Sequence, residues 1–86
     1  MGSHHHSHDI DSLDEKGKDL ARARQSLIEE LEAISLYEER VQATSDESLK
    51  KLLDHNRDEE KEHAAMLTDW LRKNDQTFDK MFSEHD

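Results

Sequence analysis

Residues 49–70 read LKKLLDHNRDEEKEHAAMLTDW. Leu49, Leu53, Asn56, Glu60, His63, Leu67 and Trp70 follow one another in steps of three and four, the spacing that lines up one face of an α-helix. Leu52, Met66 and Leu71 flank that face. In the middle of the apolar stripe sit two ionisable residues, Glu60 and His63. An unpaired carboxylate on a core face is costly, so such a residue must be paired or must hold a metal.

A matching stripe precedes it. Leu20, Ala23, Leu27, Glu30, Ile34, Tyr37 and Val41 alternate by three and four, with Leu31 alongside, and predict a long helix ending near Ala43. Here too one carboxylate, Glu30, interrupts the apolar face. Ser12-Leu13-Asp14-Glu15 is a capping box and predicts the helix start, with Gly17 weakening the first turns. Thr44 or Ser45 can cap the second helix, and Asp46 and Glu47 suit its positive N-terminus. Asn74 is a stop signal. The short connection predicts antiparallel packing. Phe78, Met81 and Phe82 predict a short last helix within 76–82. Residues 1–11 hold His4, His5, His6 and His8 without periodicity and read as a disordered His-rich tail or tag; residues 12–86 form the helical domain.

Composition narrows the rest. The 86 residues allow one small domain, and 31% hydrophobic against 40% charged residues is too little for a self-sufficient core. A second copy covering the apolar stripes is therefore expected. Acid exceeds base, 22 to 12, for a formal charge of −10. Neither nucleic acid nor an anionic membrane suits such a surface, whereas cations do. Without cysteine, thiolate metal sites and thiol nucleophiles are excluded. No run approaches the ~20 apolar residues of a membrane span, and no signal-peptide core is visible, so an intracellular protein is expected.

Glu60-Lys61-Glu62-His63 is a Glu-x-x-His motif, whose two ends share one helix face. Carboxylate oxygen with imidazole nitrogen suits iron or manganese. No lysine or arginine lies on either stripe to pair with Glu30 or Glu60. Carboxylate-bridged di-iron bundles need one Glu from each of two helices and one Glu-x-x-His from each of two more. This chain has one of each, so it carries half a site, and two copies would complete it. Charge runs are ordinarily solvated faces, and stripe histidines ordinarily satisfy core hydrogen bonds. An antiparallel coiled-coil interaction module is therefore the alternative at this point.

Three stretches resemble the encapsulated ferritins, ferritin-like cargo proteins of encapsulin nanocompartments. They are Glu29-Glu30-Leu31-Glu32-Ala33 with Tyr37, then His55 through Met66, and Trp70-Leu71-Arg72. The resemblance spans roughly Leu20 to Asn74. It implies an all-α fold of two long antiparallel helices plus a short C-terminal helix, dimerising into a ferritin-like four-helix bundle. Dimers would assemble into a ring, typically a decamer. Glu30, Glu60 and His63 match the family's iron ligands, with Glu60 bridging and the other two terminal. Tyr37 matches a tyrosine beside the centre. Glu29 and Glu32 match carboxylates where metal enters. Leu36 departs from the family, which can carry tryptophan there. The family's shell-docking C-terminal extension is not visible after Asp86, so a trimmed or atypical end is expected.

The implied activity is ferroxidase: two Fe²⁺ ions bind between protomers, O₂ takes their electrons, and Fe³⁺ leaves for storage in an encapsulin nanocompartment in the cytoplasm. Tyr37 is expected to orient a ligand or supply an electron, with simple packing as its other role. Phe78 and Phe82 are expected to pack between subunits. The rival functions are a rubrerythrin-like di-iron peroxidase or oxidase and a non-catalytic acidic helical dimerisation module.

Overall fold

A computed structural model describes residues 13–85. Its three helices are α1, Glu15–Ala43; α2, Glu47–Asn74; and α3, Gln76–His85. The expected His-rich tail and Ser12 lie outside the described residues.

Each helix start is set by an aspartate. Asp14, in extended conformation, caps α1 by accepting from the Gly17 N–H at 2.7 Å. The capping box predicted a serine cap at Ser12; the observed cap lies two residues later, where a carboxylate meets the positive end of the helix. Gly17 suits this turn because a Cβ there would meet the Leu13 side chain at 3.0 Å and the capping carboxylate at 3.1 Å. At the second start the cap is Asp46 rather than Thr44 or Ser45. One Asp46 oxygen accepts from the N–H groups of Ser48 at 3.0 Å and Leu49 at 3.1 Å, and from the Ser48 hydroxyl at 2.8 Å. These bonds, that from Leu49 first, hold the Asp46 carboxyl below its ordinary value. Thr44 serves the connection instead, its hydroxyl accepting from the Asp46 N–H at 3.1 Å. Asp75 closes α2 and opens α3, accepting from the Phe78 N–H at 3.1 Å.

The three-residue connection folds α2 back along α1. Lys16 donates to Asn74 at the open end, and its ammonium lies 5.5 Å from the Trp70 ring centroid. Arg57 reaches Glu38 nearer the connection. These cross-contacts fix the antiparallel hairpin. At its open end Arg72 ties down α3, donating to Asp79 at 2.8 Å and lying 4.4 Å from the Phe82 ring centroid. Phe78 and Phe82 meet edge to face at 5.1 Å. Among the described residues no helix is long and apolar enough to cross a membrane.

Only Ala23, Ala64 and Leu71 are buried among the described residues, and none of them is charged. The α1 stripe behaves as expected, with all seven members buried or half-buried. The face of α2 turned to α1 differs from the expected stripe. It runs Leu53, Arg57, Glu60, Ala64, Leu67, Leu71, whereas Leu49, His63 and Trp70 are exposed at its edge. Two apolar seams run side by side on α2, and small Ala64 is the residue that lets the helices approach. Other large apolar side chains stay exposed, Ile28, Leu31 and Leu36 on α1 and Leu49, Leu52 and Met66 on α2.

This facing has a direct test. In dilute, metal-free protein, Leu71→Ala should lower stability by about 2–4 kcal/mol. Leu52→Ala, at an exposed position, should cost less than about 1 kcal/mol. Urea-unfolding midpoints compare the two, and equal losses would contradict the packing of α2.

Candidate metal centre

Glu30 on α1 and Glu60 and His63 on α2 meet about midway along the hairpin. One donor atom from each lies within 4.8 Å of the others, close enough for all three to reach one metal ion. The His63 ring places Nδ1 at 2.8 Å from Glu60 Oε1 and at 3.6 Å from Glu30 Oε1. Glu60 and His63 share this edge because they are separated by three residues on one helix. Glu30 reaches them across the hairpin from the α1 stripe.

The electrostatics are those of like charges crowded together. The Glu30 carboxyl is raised above its ordinary 4.5, first by a hydrogen bond with Glu60, then by desolvation and by the Glu60 charge; His63 opposes the rise. His63 is raised above 6.5, chiefly by its hydrogen bond to Glu60. Among the described residues no lysine or arginine pairs with Glu30 or Glu60; His63 is their only cationic partner. The His63 side chain is 51% exposed against 23% for Glu60, so the cluster opens to solvent on the His63 side.

Two hollows flank the cluster. One of about 240 Å³ is lined by Tyr37, Asn56, Glu59, Glu60 and His63. This puts Tyr37 beside the cluster, with its ring face 5.7 Å from the Arg40 guanidinium. The other, of about 320 Å³, is lined by His63, Met66 and Leu67 and is apolar. Glu29 and Glu32 are exposed on α1 and do not join the cluster; Glu29 accepts from Gln25 at 3.3 Å. Glu59 was not expected beside the centre. Its separation from Glu60 by one residue turns it off the stripe, but the Tyr37 hollow is broad enough to include it. Asn56 was legible as a polar member of the stripe without a role.

The family described as EncFtn-like matches residues 5–85. The chain belongs to the EncFtn-like family. The ferritin-like protein of Thermotoga maritima is 54% identical over 65 residues, 76% of this chain and 57% of that protein. The encapsulated ferritin-like protein of Rhodospirillum rubrum is 52% identical over 66 residues, 77% of this chain and 47% of that protein. The chain thus spans about half the length of the curated relatives it matches. A crystal structure of protein ne0167 from Nitrosomonas europaea has the same fold, with a TM-score of 0.82 at 53% identity, covering 86% of this chain and 81% of that one. The EncFtn-like chain is an all-α, ferritin-like hairpin. Its donor set fits iron chemistry: two hard carboxylates and one imidazole, with no sulfur.

The charge coupling predicts a titration. Glu60→Gln should bring the His63 pKa down toward 6.5 and the Glu30 pKa down toward 4.5, read by NMR on metal-free protein. Because both groups hold protons more tightly when folded, these two should make metal-free stability fall as pH rises through their raised values. In Glu60→Gln that fall should shrink. An unmoved His63 titration would contradict the 2.8 Å contact.

Proposed function

We propose that two copies of this chain form a ferroxidase centre in which Glu30, Glu60 and His63 of each copy bind two Fe²⁺ ions as substrate. The observation that carries this reading is the convergence of those three donors at the open edge of the hairpin. A single hairpin supplies two carboxylates and one imidazole, which leaves a metal ion under-coordinated on its outward side. A second copy packed on the exposed apolar face would bring the other three donors. The same packing would cover exposed apolar side chains on the His63 side of α2, Leu52 and Met66, which now lie in contact with water.

Each Fe²⁺ gives one electron to O₂. The protein's part is to collect, hold and release iron. Four carboxylates around two ions favour the more highly charged Fe³⁺, because hard anionic oxygen stabilises it more than Fe²⁺. Glu60 from both copies would bridge the ions, with Glu30 and His63 as terminal ligands. Binding must displace the proton that Glu60 helps His63 to hold, so metal uptake weakens as pH falls. Tyr37, beside Glu60 in the polar hollow, would orient a ligand or supply an electron. Glu29 and Glu32 would gather Fe²⁺ at the surface, aided by the formal charge of −10.

The dimers would assemble into a decameric ring through α3 and the bundle ends. A ring does not enclose mineral, so storage would fall to an encapsulin shell. The relative from Rhodospirillum rubrum is named as encapsulated, which supports this partner and an encapsulin nanocompartment as location.

Anaerobic Fe²⁺ followed by an O₂ pulse tests the reading. Glu60→Ala, His63→Ala and Glu30→Ala should each slow rapid oxidation by at least about tenfold, a conservative bound for removing a metal ligand when even supporting residues are worth 10–100-fold. Glu62→Ala, off the inner face, should change it less than about twofold. Equal losses at Glu60 and Glu62 would contradict the assignment. Faster turnover with hydrogen peroxide than with O₂ would favour a rubrerythrin-like peroxidase, and purified protein that takes up no iron would favour a non-catalytic module. Sedimentation should show Fe²⁺ driving monomers into even-numbered assemblies.

A further inference from the structure

Between Leu53 and Ala64 the face of α2 turned to α1 is polar, held by Arg57 and Glu60. Glu60 stands against Glu30 across the hairpin, with donor atoms of the two carboxylates within 4.8 Å, a spacing at which two ionised carboxylates repel and, among the described residues, only His63 offsets them. One turn before Glu60, Arg57 crosses the hairpin. Its Nη1 donates to Glu38 Oε1 at 3.0 Å, while Asp54 at 3.1 Å and Asp58 at 3.3 Å hold the same guanidinium on its own helix. The Arg57 side chain is only 19% exposed. Among the described residues this is the only lysine or arginine ion pair joining α1 to α2. It lies about two turns from Glu30 on one helix and from His63 on the other.

We infer that Arg57, through its bridge to Glu38, is a positioning residue that keeps the metal-free site closed, with Glu30 already opposite Glu60 and His63 when a metal ion arrives. The inference rests on the metal-binding reading above. Beside the cluster the buried residue is a small one, Ala64, and the larger neighbours Leu27, Ile34 and Leu67 are only half-buried, so little apolar surface holds the helices together there. Without the bridge, the carboxylate repulsion would populate a splayed hairpin, and the apparent metal affinity would fall by the closed fraction. Once a cation is bound, its charge offsets the repulsion and the bridge is no longer needed. Arg57 therefore acts on affinity and leaves the saturated coordination unchanged.

Titration of the full chain with Co²⁺, read by its visible absorption, separates these quantities. Arg57→Gln and Glu38→Gln should each raise the half-saturating Co²⁺ concentration by about tenfold, corresponding to about one closed hairpin in ten. The double variant should bind no more weakly than Arg57→Gln alone, because both changes remove one bridge. The spectrum at saturation should match the unmodified protein. Melting should drop in the metal-free state and recover with Co²⁺; a bridge that merely stabilised the fold would lower both states alike. If Arg57→Gln fails to fold, Glu38→Gln decides, since Asp54 and Asp58 still hold Arg57 there. Unchanged half-saturation, multiplied effects in the double variant, or an altered saturated spectrum would each overturn the inference. A wild-type chain that takes up no Co²⁺ would overturn the metal reading and this inference with it. A wild-type chain that binds Co²⁺ while the variants match it would overturn the inference alone.

Discussion

Glu30 and Glu60 are pressed together between two helices with one imidazole for company, and the rest of the hairpin answers to that crowding. In water two such carboxylates would separate. Here α1 and α2 hold them close enough that Glu30 keeps its proton more firmly than a free glutamate. His63 relieves part of the repulsion, and a multivalent cation would relieve more. The hairpin accordingly has only the small Ala64 buried beside the carboxylates, where a two-helix protein would ordinarily bury leucine.

That concession leaves a thin core. Among the described residues three small or aliphatic side chains are buried, while large apolar side chains such as Leu52 and Met66 on α2 face outward. The cluster opens on the exposed edge, beside the apolar hollow of Met66 and Leu67. Under the proposed function these are two aspects of one requirement. The face that lacks a core partner borders the face that lacks metal ligands, and one copy of the same chain supplies both.

Much of this was legible in the sequence. The three-four spacing marked both helices and the α1 end at Ala43, and the interruptions at Glu30, Glu60 and His63 marked the residues that the structure brings together. The capping residues were less legible. Serine, threonine and aspartate compete as caps at nearly equal energy, and a tertiary arrangement that places Asp14 and Asp46 at the turns decided between them. The facing of α2 was misjudged by about one position. Both the Leu67–Leu71 seam and the Met66–Trp70 seam are apolar, and periodicity cannot say which of two adjacent seams meets its own partner helix. Arg57 went unnoticed because its value lies in a cross-helix contact to Glu38, which no local spacing encodes.

The claim at the centre of this account is that one chain holds half a metal site. Anomalous diffraction at the iron edge, from crystals loaded anaerobically with Fe²⁺, tests it most directly. The account predicts two iron peaks on a two-fold axis or astride it, each ringed by Glu30, Glu60 and His63 donors drawn from two copies. An iron ion bound wholly within one hairpin, or ligated away from these three residues, would contradict it.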